Sequence, residues 1–191
     1  VKVDGRLFTW GDGASAQIGD STLISKSSPV QLGTLRWKTV SVGYTHTAAI
    51  RSDGLLFAWG DNSNGKLGDG TVLARSSPVQ IGTDSWTAVN TGFTHTAAIR
   101  SDGLLFTWGL NNYGQLGSTT PIYSWTMVSA NLYHTAAIRS DGLLFAWGKG
   151  ANPNGSGLLG DGTNVSKSSP VQIGSSSWSV VSASIRHNAA I

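Results

Sequence analysis

The fifteen residues HTAAIRSDGLLFAWG, from His46 to Gly60, decide the fold, because the chain contains them three times with almost no change. The second copy starts at His95 and the third at His134. In each copy Asp-Gly separates two runs of apolar residues, which is a strong signal for a β-hairpin. The sequence therefore predicts a hairpin of two short strands that recurs along the chain.

Tryptophans mark four repeat units. One series follows the hairpin pattern FxWG and is spaced by 49, 49 and 39 residues, at Trp10, Trp59, Trp108 and Trp147. A second series lies nine residues before each repeated histidine, at Trp37, Trp86, Trp125 and Trp178. We expect one domain or propeller fragment over residues 1–191, with units of roughly 1–46, 47–95, 96–134 and 135–187.

Each unit reads as three or four short strands. Ser85 to Gly92, SWTAVNTG, is rich in β-branched and aromatic residues, and the segment SSPVQIG carries Pro78 at the start of a short edge strand. Both faces of LLFAWG are apolar, which indicates a strand covered on both sides by neighbours. Such units are typical of β-propeller blades, although a solenoid would also explain the period. The small Ala48-Ala49 pair predicts a strand near the crowded propeller axis.

The two ends of the chain complement each other. The chain opens on VKVDGRLFTWG without a preceding HTAAI, and it closes on HNAAI without a following LLFAWG. Together they would rebuild one hairpin, so we favour a ring over a solenoid. Either the ends close a propeller or the sequence is cut in phase from a longer array. Pairing of the terminal strands between two copies is a third interpretation, and it predicts self-association.

Composition excludes several classes of site. The chain has no cysteine, so it forms no disulfide and no thiolate metal site. Its net charge is +3, but the thirteen lysines and arginines are scattered singly and form no run that would track a phosphate backbone. No apolar run approaches the ~20 residues of a membrane helix. We therefore predict no specific nucleic acid partner and no membrane insertion.

Three segments resemble a known repeat family. They are GYTHTAAIRSDGLLFAWGDNSNGKLGDGT from Gly43, GLNNYGQLGS from Gly109, and SSPVQIG at Ser76 and Ser168. These residues are similar to the regulator of chromosome condensation repeats, whose members form β-propellers that usually have seven blades. The resemblance implies an all-β propeller of four such repeats, within a larger ring of about seven blades. The regularity of the units looks most like the bacterial and phage members.

Two units depart from the family pattern. The third lacks SSPVQIG, which predicts a trimmed blade edge, and the fourth carries the insert KGANPNGSGLLG from Lys149 to Gly160. The exchange factor of the family uses an added hairpin wedge and acidic loop residues. No insertion of that kind is found, so the resemblance does not bring exchange activity to this chain.

The repeated polar residues have two interpretations each. Histidines at equivalent positions could ring a metal, but we favour hydrogen bonds from them to backbone groups between blades: His46, His95, His134 and His187. Arginines before the hairpin turn should emerge on one face, where they would bind anions or simply be solvated: Arg51, Arg100 and Arg139. Loop aspartates lack the spacing of a calcium loop and predict Asx-turns: Asp12, Asp20, Asp61, Asp69 and Asp161.

Two further motifs are assigned to structure. The tryptophans alternate with other apolar residues inside strands, and we expect them to pack between blades rather than to stack on a ligand. GSGLLG, from Gly155 to Gly160, matches a dinucleotide fingerprint but has no following helix, so we interpret it as a chance match.

Function should lie where the copies differ, because loop tips vary while a scaffold holds them. The candidate binding residues are Tyr44, Phe93, Leu110, Asn111, Asn112, Tyr113, Asn152 and Asn154, together with Arg51, Arg100 and Arg139. No catalytic residue, metal ligand or cofactor is predicted.

We expect a non-enzymatic scaffold that docks a protein or a glycan, as a surface or virion-associated module for adhesion or docking. The alternative is a regulator, as exchange factor or inhibitor, of a nucleotide-binding or enzymatic partner. A propeller lyase or hydrolase would need carboxylates or histidines clustered on one loop face, and the aspartates are spread too evenly. An extracellular or virion-surface location is favoured.

Overall fold

The computed structural model of the protein describes residues 1–118, 123–151, 154–155 and 157–191. In that part of the chain all regular structure is β and no helix forms, so the all-β prediction is confirmed. The strands are β1 (Phe8–Gly11), β2 (Lys26–Gln31), β3 (Trp37–Val42), β4 (His46–Arg51), β5 (Leu55–Gly60), β6 (Arg75–Thr91), β7 (His95–Arg100), β8 (Leu105–Gly109), β9 (Trp125–Ala130), β10 (His134–Arg139), β11 (Leu144–Gly148), β12 (Lys167–Gln172), β13 (Val181–Ala183) and β14 (Asn188–Ala190).

The strands pair antiparallel in blades that follow one another along the chain. Blade A contains β3, β4, β5 and the start of β6; blade B contains the end of β6, β7 and β8; blade C contains β9 to β12. The repeated hairpin forms the two middle strands of blades A and C, with His46 opposite Gly60 and Ile50 opposite Leu56 in blade A. This arrangement is a partial β-propeller, as the sequence predicts.

Strand β6 joins two blades without a break. Its residues 75–80 pair with β5 as the outer strand of blade A, and its residues 86–91 pair with β7 as the inner strand of blade B. The edge strand predicted around Pro78 is therefore present, but it starts three residues earlier, at Arg75. Proline is tolerated here because the outer edge of the strand has no further partner in its sheet.

The strand segment nearest the axis is the one that starts at, or shortly after, a tryptophan of the second series. Strands β3, β9 and β13 are edge strands of their sheets, and residues 86–91 of β6 pair with β7 alone; each of these segments contacts the next through side-chain hydrogen bonds. These bonds join Ser41 to Thr91 at 3.0 Å, Asn90 to Ala130 at 2.7 Å and Ser129 to Ala183 at 2.9 Å. Successive blades therefore converge at this strand.

The prediction that the strand of Ala48 and Ala49 lies near the axis is wrong, because a different strand of the blade lies there. Ala48 and Ala49 lie in β4, which is the second strand of blade A, and both are fully buried. One alanine faces each neighbouring blade: Ala48 packs in one hydrophobic cluster with Trp86, and Ala49 packs in another with Trp37 and Trp59. A small side chain is needed here because two sheets approach from opposite sides, and not because the strand lines the axis.

Tryptophans fill the space between blades. Trp59 and Trp147 are fully buried, and Trp37, Trp86 and Trp125 are exposed by 8 % or less. Within each interface the two series contact each other, with ring centroids 6.0 to 6.1 Å apart. The prediction that these rings pack between blades is confirmed for this set.

Two sheets of two strands flank the three blades. β1 pairs with β2, and β13 pairs with β14, in separate sheets. The N-terminal and C-terminal halves of the hairpin pattern therefore do not pair with each other within one copy of the chain. Pairing between copies and a larger ring of about seven blades stay predictions.

Candidate functional site

A hydrogen-bonded network links each blade to the next. The carbonyl oxygen of Lys66, in the loop after β5, accepts bonds from the Thr96 hydroxyl at 2.8 Å and from Trp108 Nε1 at 2.9 Å. The ring of His46 in turn meets the Thr96 hydroxyl at 2.9 Å through Nε2. Since the hydroxyl gives its only proton to the carbonyl, His46 must donate from Nε2, and a neutral ring then carries no proton on Nδ1.

The same network recurs at the other two interfaces with changed residues. His95 donates to Thr135, whose hydroxyl bonds to the carbonyl of Gln115. At the last interface Asn188 replaces threonine: its amide oxygen accepts from His134 at 2.9 Å, and its amide nitrogen donates to the carbonyl of Leu158. The amide of Asn188 therefore accepts with its oxygen and donates with its nitrogen, whereas the threonine hydroxyl does both through one oxygen.

Burial keeps these histidines neutral. Removal from water lowers the pKa of His46 and of His95 to about 3. It also lowers the pKa of His134, although the bond to Asn188 acts in the opposite direction. The predicted bonding between blades is confirmed for these three, but the partners are side chains rather than the expected backbone groups. The fourth histidine, His187, is exposed.

No group of three or more metal-ligating side chains converges anywhere in the described ranges. The loop aspartates instead accept a bond from the backbone nitrogen two residues later, as Asp61 does from Ser63 at 3.1 Å and Asp69 from Thr71 at 3.0 Å. The same bond forms at Asp12, Asp20 and Asp161. The Asx-turn prediction is therefore confirmed.

The repeated arginines form ion pairs within their own turns. Arg51 contacts Asp53 at 2.6 Å, and its guanidinium lies over the ring of Phe57 at 5.0 Å. Arg100 and Arg139 pair in the same way with Asp102 and Asp141. These arginines end β4, β7 and β10, so they share one face of the propeller, which we call the turn face. A binding role for them stays a prediction.

The other candidate residues that the structure describes lie on the opposite face, which we call the loop face. It carries the turns before β4, β7 and β10 and the loops after β5, β8 and β11. Tyr44 and Phe93 occupy equivalent turns and stack, with centroids 4.4 Å apart and planes 25° apart. Tyr44 is 68 % exposed. The structure thus brings together two residues that the sequence places 49 positions apart.

The stacked pair continues into a larger aromatic cluster. Tyr133 lies 6.4 Å from Phe93 and 5.0 Å from Tyr113, measured between ring centroids. The ammonium group of Lys149 lies over both tyrosines, at 4.9 Å from Tyr113 and 5.0 Å from Tyr133. We call Tyr44, Phe93, Tyr113, Tyr133 and Lys149 the aromatic cluster.

Two members of the cluster are absent from the sequence-based candidates. In the third unit the turn reads NLYH rather than GYTH, so the aromatic ring stands one position nearer the histidine, at Tyr133. Comparing turns position by position hides this shift. Lys149 replaces the aspartate that follows the hairpin glycine in the first two units, and this reversal of charge was a visible signal.

The remaining candidates have mixed roles. The Asn111 side chain accepts a bond from the backbone of Leu116 at 3.0 Å, so it shapes its own loop. Leu110 is half-buried, whereas Asn112 and Asn154 are exposed. Asn152 lies outside the described residues, as does one residue of the GSGLLG match.

A cavity of about 260 Å³ adjoins the aromatic cluster near the axis. Its lining includes Val42, Tyr44, Phe93, Leu132 and Ile185. Val42 and Ile185 are exposed by 68 % and 54 %. The loop face therefore presents a largely apolar depression beside stacked rings, a combination typical of binding surfaces.

Comparison with known proteins agrees with this architecture. A crystal structure of human WBSCR16 superimposes with a TM-score of 0.87 at 23 % identity, over 100 % of this chain and 54 % of that one. A structure of Kap60 bound to yeast RCC1 (Prp20) matches with a TM-score of 0.80 at 19 % identity, over 95 % of this chain and 48 % of that one. A structure of Prp20p from Saccharomyces cerevisiae matches with a TM-score of 0.77 at 20 % identity, over 98 % and 52 %. The chain thus spans about half the length of these structures.

No curated protein matches the chain in sequence. None of the described elements is a helix long and apolar enough to span a membrane. The sequence pattern of the regulator of chromosome condensation (RCC1) repeat, in contrast, matches residues 4–50, 53–99, 102–138 and 141–191. A second pattern for the same repeat matches residues 37–66, 86–115 and 126–155. The chain therefore belongs to the RCC1 repeat family.

Proposed function

We propose that the chain is a non-enzymatic scaffold that docks a partner protein on its loop face. The aromatic cluster carries this proposal. Its rings come from three successive units, and Tyr44 remains 68 % exposed although it stacks on Phe93. Tyrosine and phenylalanine are enriched at protein interfaces because they bury a large apolar area with few rotatable bonds.

The chemistry of the cluster favours a protein over an anionic polymer. Lys149 is the single cation in the cluster, and its ammonium is already placed over two rings. The arginines of the turn face are paired with aspartates of their own turns. A partner that offers aliphatic or aromatic side chains, with a carboxylate near Lys149, would complement this surface.

Two of the similar structures are described with protein partners. One of the similar structures contains Kap60 bound to yeast RCC1 (Prp20), and another is described with binding of Prp20p to Gsp1p and histones. These partners are those of the similar proteins and not of this chain. A glycan ligand, a surface or virion location, a bacterial or phage source and the role of exchange factor or inhibitor stay predictions.

The test compares two faces of the same scaffold. The wild-type chain, a loop-face double variant (Tyr44→Ser with Phe93→Ser) and a turn-face control (Arg51→Ser with Arg100→Ser) are immobilised and exposed to a lysate of the encoding organism. Proteins retained by the wild type and the turn-face control, but lost with the loop-face variant, are the expected result.

Melting curves of all three proteins confirm that the variants are folded. Retention that is equal for the loop-face variant and the wild type would contradict the proposal. A glycan array probed with the same three proteins distinguishes the remaining ligand class: loop-face-dependent glycan binding without a retained protein would replace the protein partner by a carbohydrate.

A further inference from the structure

The first and last units each provide half of a blade. Strand β1 pairs with β2, and no other described strand pairs with β1. Strand β14 pairs with β13 alone among the described strands. In blades A and C the counterparts of these four strands form one continuous sheet. The two halves are therefore complementary parts of one four-stranded blade.

A cavity of about 650 Å³ lies beside β1, and we call it the slot. Its lining includes the apolar side chains of Leu7, Ile18 and Val40. All lining residues lie within residues 1–47, which the structure describes without a gap. The slot is therefore formed by the first unit and by blade A.

Strand β4 fills the equivalent space between blades A and B. Its Ala48 and Ile50 are fully buried in a cluster with the counterparts of the three lining residues, which are Leu56, Leu67 and Val89. In the last unit β14 takes the repeat position of β4, and Ala189 and Ile191 correspond to Ala48 and Ile50. Ile191 is 78 % exposed. The lining of the slot therefore matches β14.

The backbone of β1 already has the conformation that a partner strand requires. Gly60 ends β5 with a φ of +107°, and a Cβ there would lie 2.5 Å from the carbonyl oxygen of Thr45, the residue before β4. Gly11 ends β1 with a φ of +106°, although no atom beyond its chain neighbours would lie within 4 Å of its Cβ. The conformation of Gly11 thus suits a contact that one copy of the chain does not make.

The hydroxyl of Thr47, which lines the slot, lacks one bond that its counterpart has. Between blades A and B the hydroxyl of Thr96 donates to a loop carbonyl and accepts from His46. The hydroxyl of Thr47 donates to the carbonyl of Gln17 at 2.9 Å, but it accepts no bond from a described residue. His187, just before β14, is the counterpart of His46 and is exposed. Placing β14 in the slot would bring His187 to this acceptor.

Charge also matches β14 to the slot. All aspartates, lysines and arginines of the chain lie in the described residues, and Asp12 is the only aspartate there that forms no ion pair. Arg186 is unpaired in the same part of the chain. Its counterpart in blade A is Thr45, whose hydroxyl lies 3.3 Å from the carboxylate of Asp61, the counterpart of Asp12. Pairing of β14 with β1 therefore places Arg186 beside Asp12.

We propose that β14 of one copy of the chain fills the slot of a second copy and pairs antiparallel with its β1. The register follows the hairpin of blade A, so His187 lies opposite Gly11 and Ala189 lies opposite Thr9. Addition of a strand to an open sheet edge is a general mode of recognition. The shared blade is separate from the aromatic cluster, and the inference does not depend on a loop-face partner.

Two copies suffice to close the ring. Each copy has one slot and one β14, so a pair of copies forms two shared blades and a ring of eight blades, within the range of known propellers. One copy spans about half the length of the similar structures. Two copies therefore supply about the length of one whole propeller of this fold.

The first experiment measures the solution mass of the 191-residue chain by light scattering, and we expect a dimer. Ile191→Asp should weaken association at least about 100-fold, because the ring loses two buried aliphatic contacts. Ile24→Asp is the matched control and should leave the dimer intact, since Ile24 is 65 % exposed and does not line the slot. Melting curves check that both variants are folded.

Disulfide trapping tests the register, and the absence of native cysteines makes it specific. Opposed residues of antiparallel strands have Cα atoms about 4.5–5.5 Å apart, which a disulfide can span. A mixture of the single variants Thr9→Cys and Ala189→Cys should form a crosslinked dimer under mild oxidation. Thr9→Cys mixed with Ser182→Cys should not, because Ser182 lies in β13 rather than in β14.

A double-variant cycle tests the ion pair. Arg186→Gln and Asp12→Asn should each weaken association about fivefold, because two ion pairs per ring are lost. The double variant should associate no more weakly than either single variant, since the second change removes a charge that has already lost its partner. Additive losses would mean that Arg186 and Asp12 do not pair.

Three results would overturn the proposal. A folded monomer at high micromolar concentration would mean that a second copy does not fill the slot. A disulfide within one copy of the Thr9→Cys, Ala189→Cys double variant would assign the slot to β14 of the same copy. Masses that rise beyond the dimer with concentration would replace the closed ring by an open array.

Discussion

Acidification should destabilise this protein well above the pH at which its carboxylates titrate. His46 and His95 have a pKa of about 3 in the folded chain, against 6.5 for an unfolded histidine. Between those values the unfolded state binds more protons, so the free energy of unfolding falls as the pH falls. From pH 7 to pH 5 the expected loss is about 2 kcal/mol for each of the two histidines.

A loss of about 4 kcal/mol is a large fraction of the roughly 5–15 kcal/mol that stabilises an ordinary domain. His134 contributes in the same direction, because burial lowers its pKa as well. The aspartates add little in this window. The pKa of Asp20 or of Asp69 is lowered from 3.8, so their effect begins only as the pH approaches 4. The drop above pH 5 therefore belongs to the histidines.

The assay is urea unfolding followed by tryptophan fluorescence at pH 7 and pH 5, at constant ionic strength. His95→Gln removes one titrating ring and leaves a side-chain amide that can donate to Thr135. This variant should lose about 2 kcal/mol less than the wild type between the two pH values. An unchanged m-value shows that the transition exposes the same surface. A wild-type loss below about 1 kcal/mol, or a full loss in His95→Gln, would refute the assignment of these rings as buried and neutral.

Three substitutions test the bonds and packing within and between blades by the same unfolding assay. Gly68→Ala should lower the free energy of unfolding by more than about 3 kcal/mol, since its Cβ would lie 2.7 Å from Trp108 Nε1. Gly70→Ala, at a similar φ of +75° but with open space around it, should cost about 1 kcal/mol. Equal costs would exclude the clash as the cause. Thr96→Val should cost about 1–3 kcal/mol, because it leaves the His46 donor unpaired. Thr96→Ser keeps the hydroxyl and should have a stability near that of the wild type. An equal loss in both variants would point to packing of the methyl group. Asp61→Leu should cost roughly 2 kcal/mol, because the buried ammonium of Lys66 loses its carboxylate partner. Adding Lys66→Gln should recover most of this loss, because unit three carries leucine and glutamine at these positions. No recovery would mean that the ion pair is not the cause.

The repeated hairpin and its partners were predictable because local signals determine them. Asp-Gly turns set the pairing of His46 with Gly60, and the period of the tryptophans set the number of units. The order of strands within a blade was not predictable in the same way. The small side chains of Ala48 and Ala49 indicate a strand with little space around it, and such a strand occurs both at a propeller axis and between two packed sheets. Only the contacts of the neighbouring blades distinguish the two.

The candidate site shows a related limit. The sequence predicts Tyr44 and Phe93 as candidates because they occupy equivalent positions in equivalent turns. Tyr133 was missed because its ring reaches the same cluster from a position shifted by one residue. The Tyr133 ring contacts Phe93 and Tyr113 although it does not occupy the repeat position equivalent to Tyr44 and Phe93. Convergence of this kind depends on how blades are inclined to each other, which a linear period does not encode.

The interfaces between blades also explain where the chain can vary. At the last interface Asn188 replaces the repeated threonine, yet both hydrogen bonds of the network are kept, because an amide supplies the same acceptor and donor. A scaffold that keeps these bonds can also tolerate changes of sequence outside them. Blade B keeps its inner hairpin and its bond from His95 to Thr135 although its sequence departs from the repeat after Gly117. Binding surfaces should therefore arise on the loop face, where a change leaves the bonds between blades intact.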